Sequence, residues 1–342
     1  MYSAYAPCGK QTHHTRNVSG KRKIIKKKKI MTKQKKHYIK TPVFKSLKLS
    51  KQLDLNVSYK MDCFQPSGSF KIRGMDTLLK DLSSQGYKEV IASSGGNAGY
   101  SLAYVAKQIG IKTKLIVPET TSEYMISKIR LLDSEIEIYG ENWDEANAYA
   151  IKISKKLSLP YVPPFDHPLL WKGHSTIIDE CALEMSEPDK IVVAVGGGGL
   201  LCGIFEGLLR NNWLKVKVIT AETEGAASFA KSHKVGQIIE LESIKTIATS
   251  LGAKKVVAKT LDFASQFEIE TYVTDDKTAF DACNDFFDEY HTLVEPACGA
   301  AISYIKSKQN IVKPKENILV IVCGGVNMGM SQFLQYKYQY QH

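Results

Sequence analysis

The apolar positions of this chain fall into two alternating textures. Short, nearly continuous apolar runs alternate with longer segments in which apolar residues recur every three or four positions. The first texture marks strands buried on both faces, and the second marks amphipathic helices. The pattern predicts strands over Val57–Asp62, Glu89–Ser93, Lys114–Val117, Glu135–Tyr139, Tyr161–Val162, Ile191–Val195, Lys215–Thr220 and Ile318–Val322. Helices are predicted over Ile72–Leu82, Ala98–Gly110, Tyr124–Leu132, Trp143–Leu157, His174–Met185, Leu200–Asn211, Thr278–Tyr290 and Ala297–Lys306. Pro163-Pro164 interrupts the alternation near the middle. Such a succession predicts an α/β fold with mostly parallel sheets. At 342 residues the chain is long enough for two domains. Ligands of open parallel sheets bind beyond the carboxyl ends of the strands, so the strand-to-helix turns carry the chemistry.

Composition changes the picture at one end only. The formal charge of +11 suggests a polyanion binder until it is located. Residues 1–40 hold 13 Lys and Arg and no Asp or Glu, which leaves 33 basic against 35 acidic residues in the body. The segment 1–36 therefore reads as a disordered basic extension: an import or nucleic-acid-binding tail, or a leader ahead of a start at Met31. It lacks the apolar core of a secretory signal, and no segment is long and apolar enough to span a membrane. Seven scattered cysteines without a Cys-x-x-Cys pair argue against a disulfide framework or zinc site. A cytoplasmic enzyme is the expectation that follows.

Four stretches are chemically odd. In Pro66-Ser-Gly-Ser-Phe70-Lys71, a turn delivers one lysine into the first turn of a helix, where the positive end of the dipole disfavours the ammonium. With Phe70 excluding water, Lys71 has the environment of a Schiff-base lysine; the plain alternative is a surface lysine at a helix start. Ser93-Ser94-Gly95-Gly96-Asn97-Ala98 joins a strand to a helix and offers backbone N–H groups, a hydroxyl and an amide to an anion. It is also what a simple capped turn looks like. Gly196-Gly197-Gly198-Gly199 suits a phosphate nest, and fits neither the dinucleotide nor the Walker pattern. Cys323 ends a strongly apolar strand beside two glycines, where a thiol can meet a ring nitrogen or act as a small hydrophobe.

Together these stretches resemble the serine/threonine dehydratases among the fold-type II pyridoxal-phosphate enzymes. The resemblance runs from about Lys40 to about Gln332 and includes Gln65–Gly74, Val162–Asp166, Val195–Gly203, Leu293–Ala301 and Val320–Asn327. It implies a tryptophan synthase β-like fold of two α/β domains, with residues 69–168 as a small domain inserted between 37–68 and 169–342. It implies Lys71 as the lysine that bonds pyridoxal 5′-phosphate, Phe70 against the ring and Asn97 at the ring oxygen. Gly196, Gly197, Gly198 and Gly199 take the phosphate, Ser250 lies on the other ring face, and Cys323 meets the ring nitrogen. Ser94, Gly95, Asn97 and Ala98 are implied to hold the substrate carboxylate. Glu222, with carbonyls of Gly196, Ala226, Leu251 and Ala253, is implied to hold K⁺ or Na⁺. The implied activity is conversion of L-serine to pyruvate and ammonia, with L-threonine as side substrate, in a homodimer. A threonine-preferring or racemising enzyme is the alternative, as is a non-catalytic cofactor-binding protein with a nucleic-acid-binding tail. Gly95 stands where related racemases carry a serine, and Ser250 stands where Ala or Gly is usual.

Overall fold

In the computed structural model, which describes residues 35–307 and 313–341, the chain begins with strand β1 (Val43–Lys45), helix α1 (Leu47–Leu53), strand β2 (Asn56–Lys60) and helix α2 (Lys71–Ser84). Next come β3 (Glu89–Ala92), α3 (Asn97–Ile109), β4 (Lys112–Val117), α4 (Glu123–Arg130), β5 (Glu135–Ile138), α5 (Trp143–Leu157) and β6 (Tyr161–Val162). Helices α6 (Pro168–His174) and α7 (Thr176–Ala182) lead into β7 (Lys190–Ala194), α8 (Gly199–Arg210), β8 (Lys217–Thr223), α9 (Ser228–Val235), α10 (Lys259–Ala264) and β9 (Ile269–Thr274). The last elements are α11 (Asp276–Tyr290), α12 (Pro296–Ser303), β10 (Asn317–Ile321) and α13 (Met330–Gln341). The reading of 1–36 as a disordered extension lies almost wholly outside the described residues.

The strands form two sheets. The larger has the order β1-β2-β10-β7-β8-β9, with β1 antiparallel to β2 and every other pair parallel. The smaller, β5-β4-β3-β6, is entirely parallel. The whole small sheet is thus an excursion between β2 and β7 of the large one. Strand β10 returns to fill the gap between them, pairing Val320 with Tyr59 on one side and Val192 on the other. An isolated bridge between Ser69 and Gly324, with the Phe70 amide donating to the Cys323 carbonyl at 2.9 Å, ties the head of α2 to the end of β10. Both sheets belong to one compact unit that begins at Lys36.

The central strands are apolar because both of their faces are covered. Ile191, Val192, Val193, Leu319 and Val320 are fully buried, and each such side chain contributes about 1.5–3 kcal/mol of transfer free energy. Helix starts follow the local chemistry: Ser122, Asn142 and Asp275 cap α4, α5 and α11 through their side chains, and Pro168 opens α6 behind the His167 cap. Gly110 ends α3 with φ 73°.

Three differences from the sequence reading have physical causes. The helix predicted over His174–Met185 is the shorter α7, and an unpredicted helix, α6, precedes it; the two meet at Ser175, whose hydroxyl bonds back to the Lys172 carbonyl at 2.7 Å. The helix predicted to reach Lys306 stops at Ser303 and tightens into a 3₁₀ turn over Tyr304–Lys306. Between Thr223 and Asp276, where no element was predicted, lie α9, α10 and β9. The two helices are short, and β9 is a half-exposed edge strand, so none carries a strong period.

Candidate active site

A cavity of about 440 Å³ opens where the carboxyl ends of both sheets converge. That volume is typical of small-molecule sites. Its walls come from the turns after β3, β4, β6 and β7, from the 3₁₀ turn Thr249–Leu251, and from the residues flanking α12 and following β10. No side-chain cluster of this kind is local in sequence; the two sheets assemble it.

Lys71 is the first residue of α2, behind Phe70, which offers no side-chain cap. Its Nζ donates to the Pro164 carbonyl at 2.7 Å and sits 5.1 Å from the Phe70 ring centroid. Burial lowers its pKa to about 8, with the surroundings of Cys323 and Glu295 pulling the other way. The amine therefore has a substantial neutral fraction at neutral pH, about a fifth at pH 7.4. Phe70 in turn packs edge-on against His174, centroids 4.8 Å apart. His174 is fully buried with neither ring nitrogen bonded, and burial, then Lys71 and Arg73, hold its pKa well below the usual value.

The glycine loop packs under tight constraint. Gly198 has φ 89°, and a Cβ there would lie 2.5 Å from the Thr260 methyl; a Cβ on Gly197 would enter the Phe165 ring. The loop runs straight into α8, whose first-turn N–H groups have no intrahelical acceptors. An anion at the mouth of this helix meets both those donors and the positive end of the dipole.

Across the cavity, Ser94 accepts from the Gly96 amide at 3.3 Å, and Asn97 opens α3. Asn97 Nδ2 donates to Glu295 Oε1 at 2.6 Å, and its Oδ1 is buried without a partner. Gly95 is pressed against Thr121: a Cβ there would lie 2.3 Å from the threonine methyl. Cys323 lies just past β10, its Sγ 3.5 Å from that of Cys298. The hydrogen bond with Cys298 and then burial push the Cys323 thiol well above its ordinary pKa, so it is a neutral group. Ser250 is in the wall, its hydroxyl near Glu295.

Of the residues named from sequence, Phe70, Lys71, Ser94, Gly95, Asn97, Ala98, Gly196 to Gly199, Ser250, Leu251, Ala253 and Cys323 all line this one cavity. Glu222 and Ala226 do not. Glu222 is fully buried near the end of β8 and accepts from the Phe229 and Ala230 amides at 2.8 and 2.7 Å, holding the start of α9. Burial raises its pKa to about 7 against those hydrogen bonds. Pro164, Phe165, Asn327 and above all Glu295 lie in stretches that carried the resemblance but were given no role from sequence, and Thr121 was not singled out at all. Glu295 carried one signal: it is the only charged residue in the apolar and small-residue run Leu293–Ile305.

The residues fit pyridoxal phosphate. The loop at the head of α8 suits a phosphate, the lowered pKa of Lys71 suits an aldehyde partner, and the unpartnered Asn97 Oδ1 and Asn327 Oδ1 await polar groups of a ligand. Comparison with known proteins agrees with that chemistry. The family model described as pyridoxal-phosphate dependent enzyme matches residues 35–324, and the chain belongs to that family. Within it the chain groups with the serine dehydratases. It is 40% identical over 314 residues to the L-serine dehydratase/L-threonine deaminase of Bos taurus, covering 88% of this chain and 95% of that one. It is 39% identical over 308 residues to the L-serine dehydratase of Dictyostelium discoideum, covering 84% and 88%. Among solved structures, a fungal L-serine ammonia-lyase from Rhizomucor miehei superposes with a TM-score of 0.84 at 33% identity, covering 90% of this chain and all of that one.

Proposed function

We propose that this protein is a pyridoxal-phosphate-dependent L-serine dehydratase that releases pyruvate and ammonia, and that handles L-threonine, to 2-oxobutanoate, as a side substrate. One observation carries the reading: Lys71, an amine with lowered pKa, opens onto the same cavity as a glycine-lined helix start and a neutral cysteine thiol. The kinship with serine dehydratases and a serine ammonia-lyase supports the substrate.

Pyridoxal phosphate, when bound, supplies the electron sink that makes the substrate α-proton removable. Gly196 to Gly199 and the first turn of α8 would hold its phosphate, Asn97 its ring oxygen, and Phe70 and Ser250 would flank its ring. Cys323 would serve the ring nitrogen as a neutral thiol. A thiol, unlike a carboxylate, does not hold a proton on that nitrogen, which favours prompt loss of the β-hydroxyl. Lys71 would hold the cofactor covalently and, as a free amine, would be the base for the substrate α-proton. Ser94, Gly95, Asn97 and Ala98 orient the substrate carboxylate at the start of α3. Gly95 offers no hydroxyl to return a proton from the opposite face, and Thr121 fills the space a side chain there needs. That favours elimination over racemisation.

The small and large domains divide at residues 69–168, and the protein works as a cytoplasmic homodimer; the resemblance to the family supports both. Among the described residues no helix is long and apolar enough to cross a membrane. K⁺ or Na⁺ sits by Glu222 with carbonyls of Gly196, Ala226, Leu251 and Ala253, supported by the resemblance to the family and by the hard oxygen donors of that set. The test is oxo-acid release by purified protein with added pyridoxal phosphate in K⁺ buffer. Faster pyruvate formation from L-serine than 2-oxobutanoate from L-threonine is expected. No oxo acid from either, with cofactor bound, overturns the reading.

A further inference from the structure

Glu295 is a carboxylate buried in the wall of the cavity without a salt bridge among the described residues. Three neutral side chains from three separate segments converge on it. Asn97, at the head of α3, donates to Oε1 at 2.6 Å; Asn327, after β10, donates to Oε2 at 3.3 Å. Ser250, from the 3₁₀ turn, brings its hydroxyl beside the carboxylate and favours the ionised form. The titratable neighbours are Lys71 on α2, Cys323 past β10 and Cys283 on α11. Burying an anion on neutral donors alone is costly, and a hydrocarbon of the same size would fit a purely structural role better.

The arrangement has a specific consequence for Asn97. An amide can present either its oxygen or its nitrogen to a neighbour, and the two ends have nearly the same shape. An ionised carboxylate accepts and never donates, so it takes the nitrogen end of Asn97 and fixes the amide's direction. The Asn97 oxygen and one N–H remain; the oxygen has no protein partner. Asn327 is fixed in the same sense, and its oxygen is likewise unpartnered.

We infer that Glu295 is a positioning residue: by taking the nitrogen end of the Asn97 amide it fixes which end of that amide meets the ring oxygen of the cofactor. The nearby Ser250 hydroxyl supports the carboxylate in this task. The inference rests on the proposed role of Asn97 toward the cofactor, and its test separates the two.

The experiment is a double-mutant cycle in the full-length protein, read by pyridoxal phosphate affinity and by the visible absorbance of the bound cofactor, with thermal melts of the cofactor-free forms as the folding control. Glu295→Gln is isosteric but lets either amide end face Asn97. It is expected to weaken cofactor affinity about tenfold and to shift the absorbance band or the pH at which it changes. Glu295→Asp, which keeps an obligate acceptor, is expected to recover part of the spectrum. In an Asn97→Ala background, Glu295→Gln is expected to add little, because the residue it acts through is gone. A Glu295→Gln protein with wild-type affinity and spectrum overturns the inference, as does an effect that persists undiminished in Asn97→Ala. Wild-type cofactor binding by Asn97→Ala alone overturns instead the assignment of Asn97. If Glu295→Gln fails to fold, the comparison of Glu295→Asp with and without Asn97→Ala decides by the same criterion.

Discussion

The Nζ of Lys71 lies 2.7 Å from the carbonyl oxygen of Pro164, so the lysine at the head of α2 is held by the loop that leaves the last strand of the small sheet. This contact joins two segments 93 residues apart and sets the amine between an aromatic face and a backbone acceptor. Burial of the amine, not this contact, is why its pKa falls.

The first expectation concerns pH. Covalent capture of an aldehyde requires the neutral amine, and burial lowers the Lys71 pKa to about 8. The rate at which cofactor-free protein takes up pyridoxal phosphate is expected to rise roughly tenfold per pH unit below pH 8 and to level off above it. Stopped-flow absorbance measures it. A rise that continues to pH 10, as for an ordinary lysine, contradicts the lowered pKa.

The glycine loop gives a second. Gly198→Ala forces a Cβ into a left-handed backbone and against the Thr260 methyl. It is expected to cost about 1–3 kcal/mol of stability and to weaken cofactor binding at least as much as it weakens the fold. Denaturant melts with and without pyridoxal phosphate separate the two effects. Gly236, also left-handed but with open space around it, serves as the control: Gly236→Ala is expected to show only the backbone penalty.

Much of this site is legible in the sequence, for an identifiable reason. Lys71, Asn97, the glycine loop and Cys323 sit at strand-to-helix turns, where local residue choice betrays the backbone's need. Glu295 was hidden because its partners come from positions 97, 250 and 327, and nothing near residue 295 hints at them. Phe165 is a similar case: only packing reveals that Gly197 and Gly199 are glycines to make room for it. In the fold, the buried central strands were visible as continuous apolar runs. The half-exposed edge strand β9 and the short helices nearby were not, because burial on one side leaves too few periods to read.

Behind the lysine lies a buried ionic cluster. The Arg73 guanidinium bonds Asp62 at 2.7 Å and Glu180 at 2.6 Å, and Lys60 bonds Glu180 at 2.7 Å. Arg73 is two residues after Lys71, so the cluster also locks the first turn of α2. Arg73→Met is expected to destabilise the protein by about 3–5 kcal/mol by stranding the carboxylates, and Asp62→Leu added to it is expected to restore part of the loss. Chemical denaturation midpoints of the single and double variants test this.

His174 supplies an expectation about acid. It is buried with no hydrogen bond, its folded pKa lies well below 6.5, and Lys71 and Arg73 face it with like charge. Below pH 6.5 the unfolded chain takes up a proton at this residue that the folded chain refuses, so stability falls as the pH drops. His174→Gln, which cannot titrate, is expected to flatten the decline between about pH 6.5 and 5 relative to wild type. Melting temperatures across that range with identical slopes for both proteins contradict the account.

The most direct test of the central claim is to map the bound cofactor. Purified protein loaded with pyridoxal phosphate is reduced with borohydride, digested, and its lysine-containing peptides are examined by mass spectrometry. The account expects the cofactor adduct on Lys71, with the visible absorbance lost in Lys71→Ala. An adduct on a different lysine, with Lys71 recovered unmodified, contradicts it.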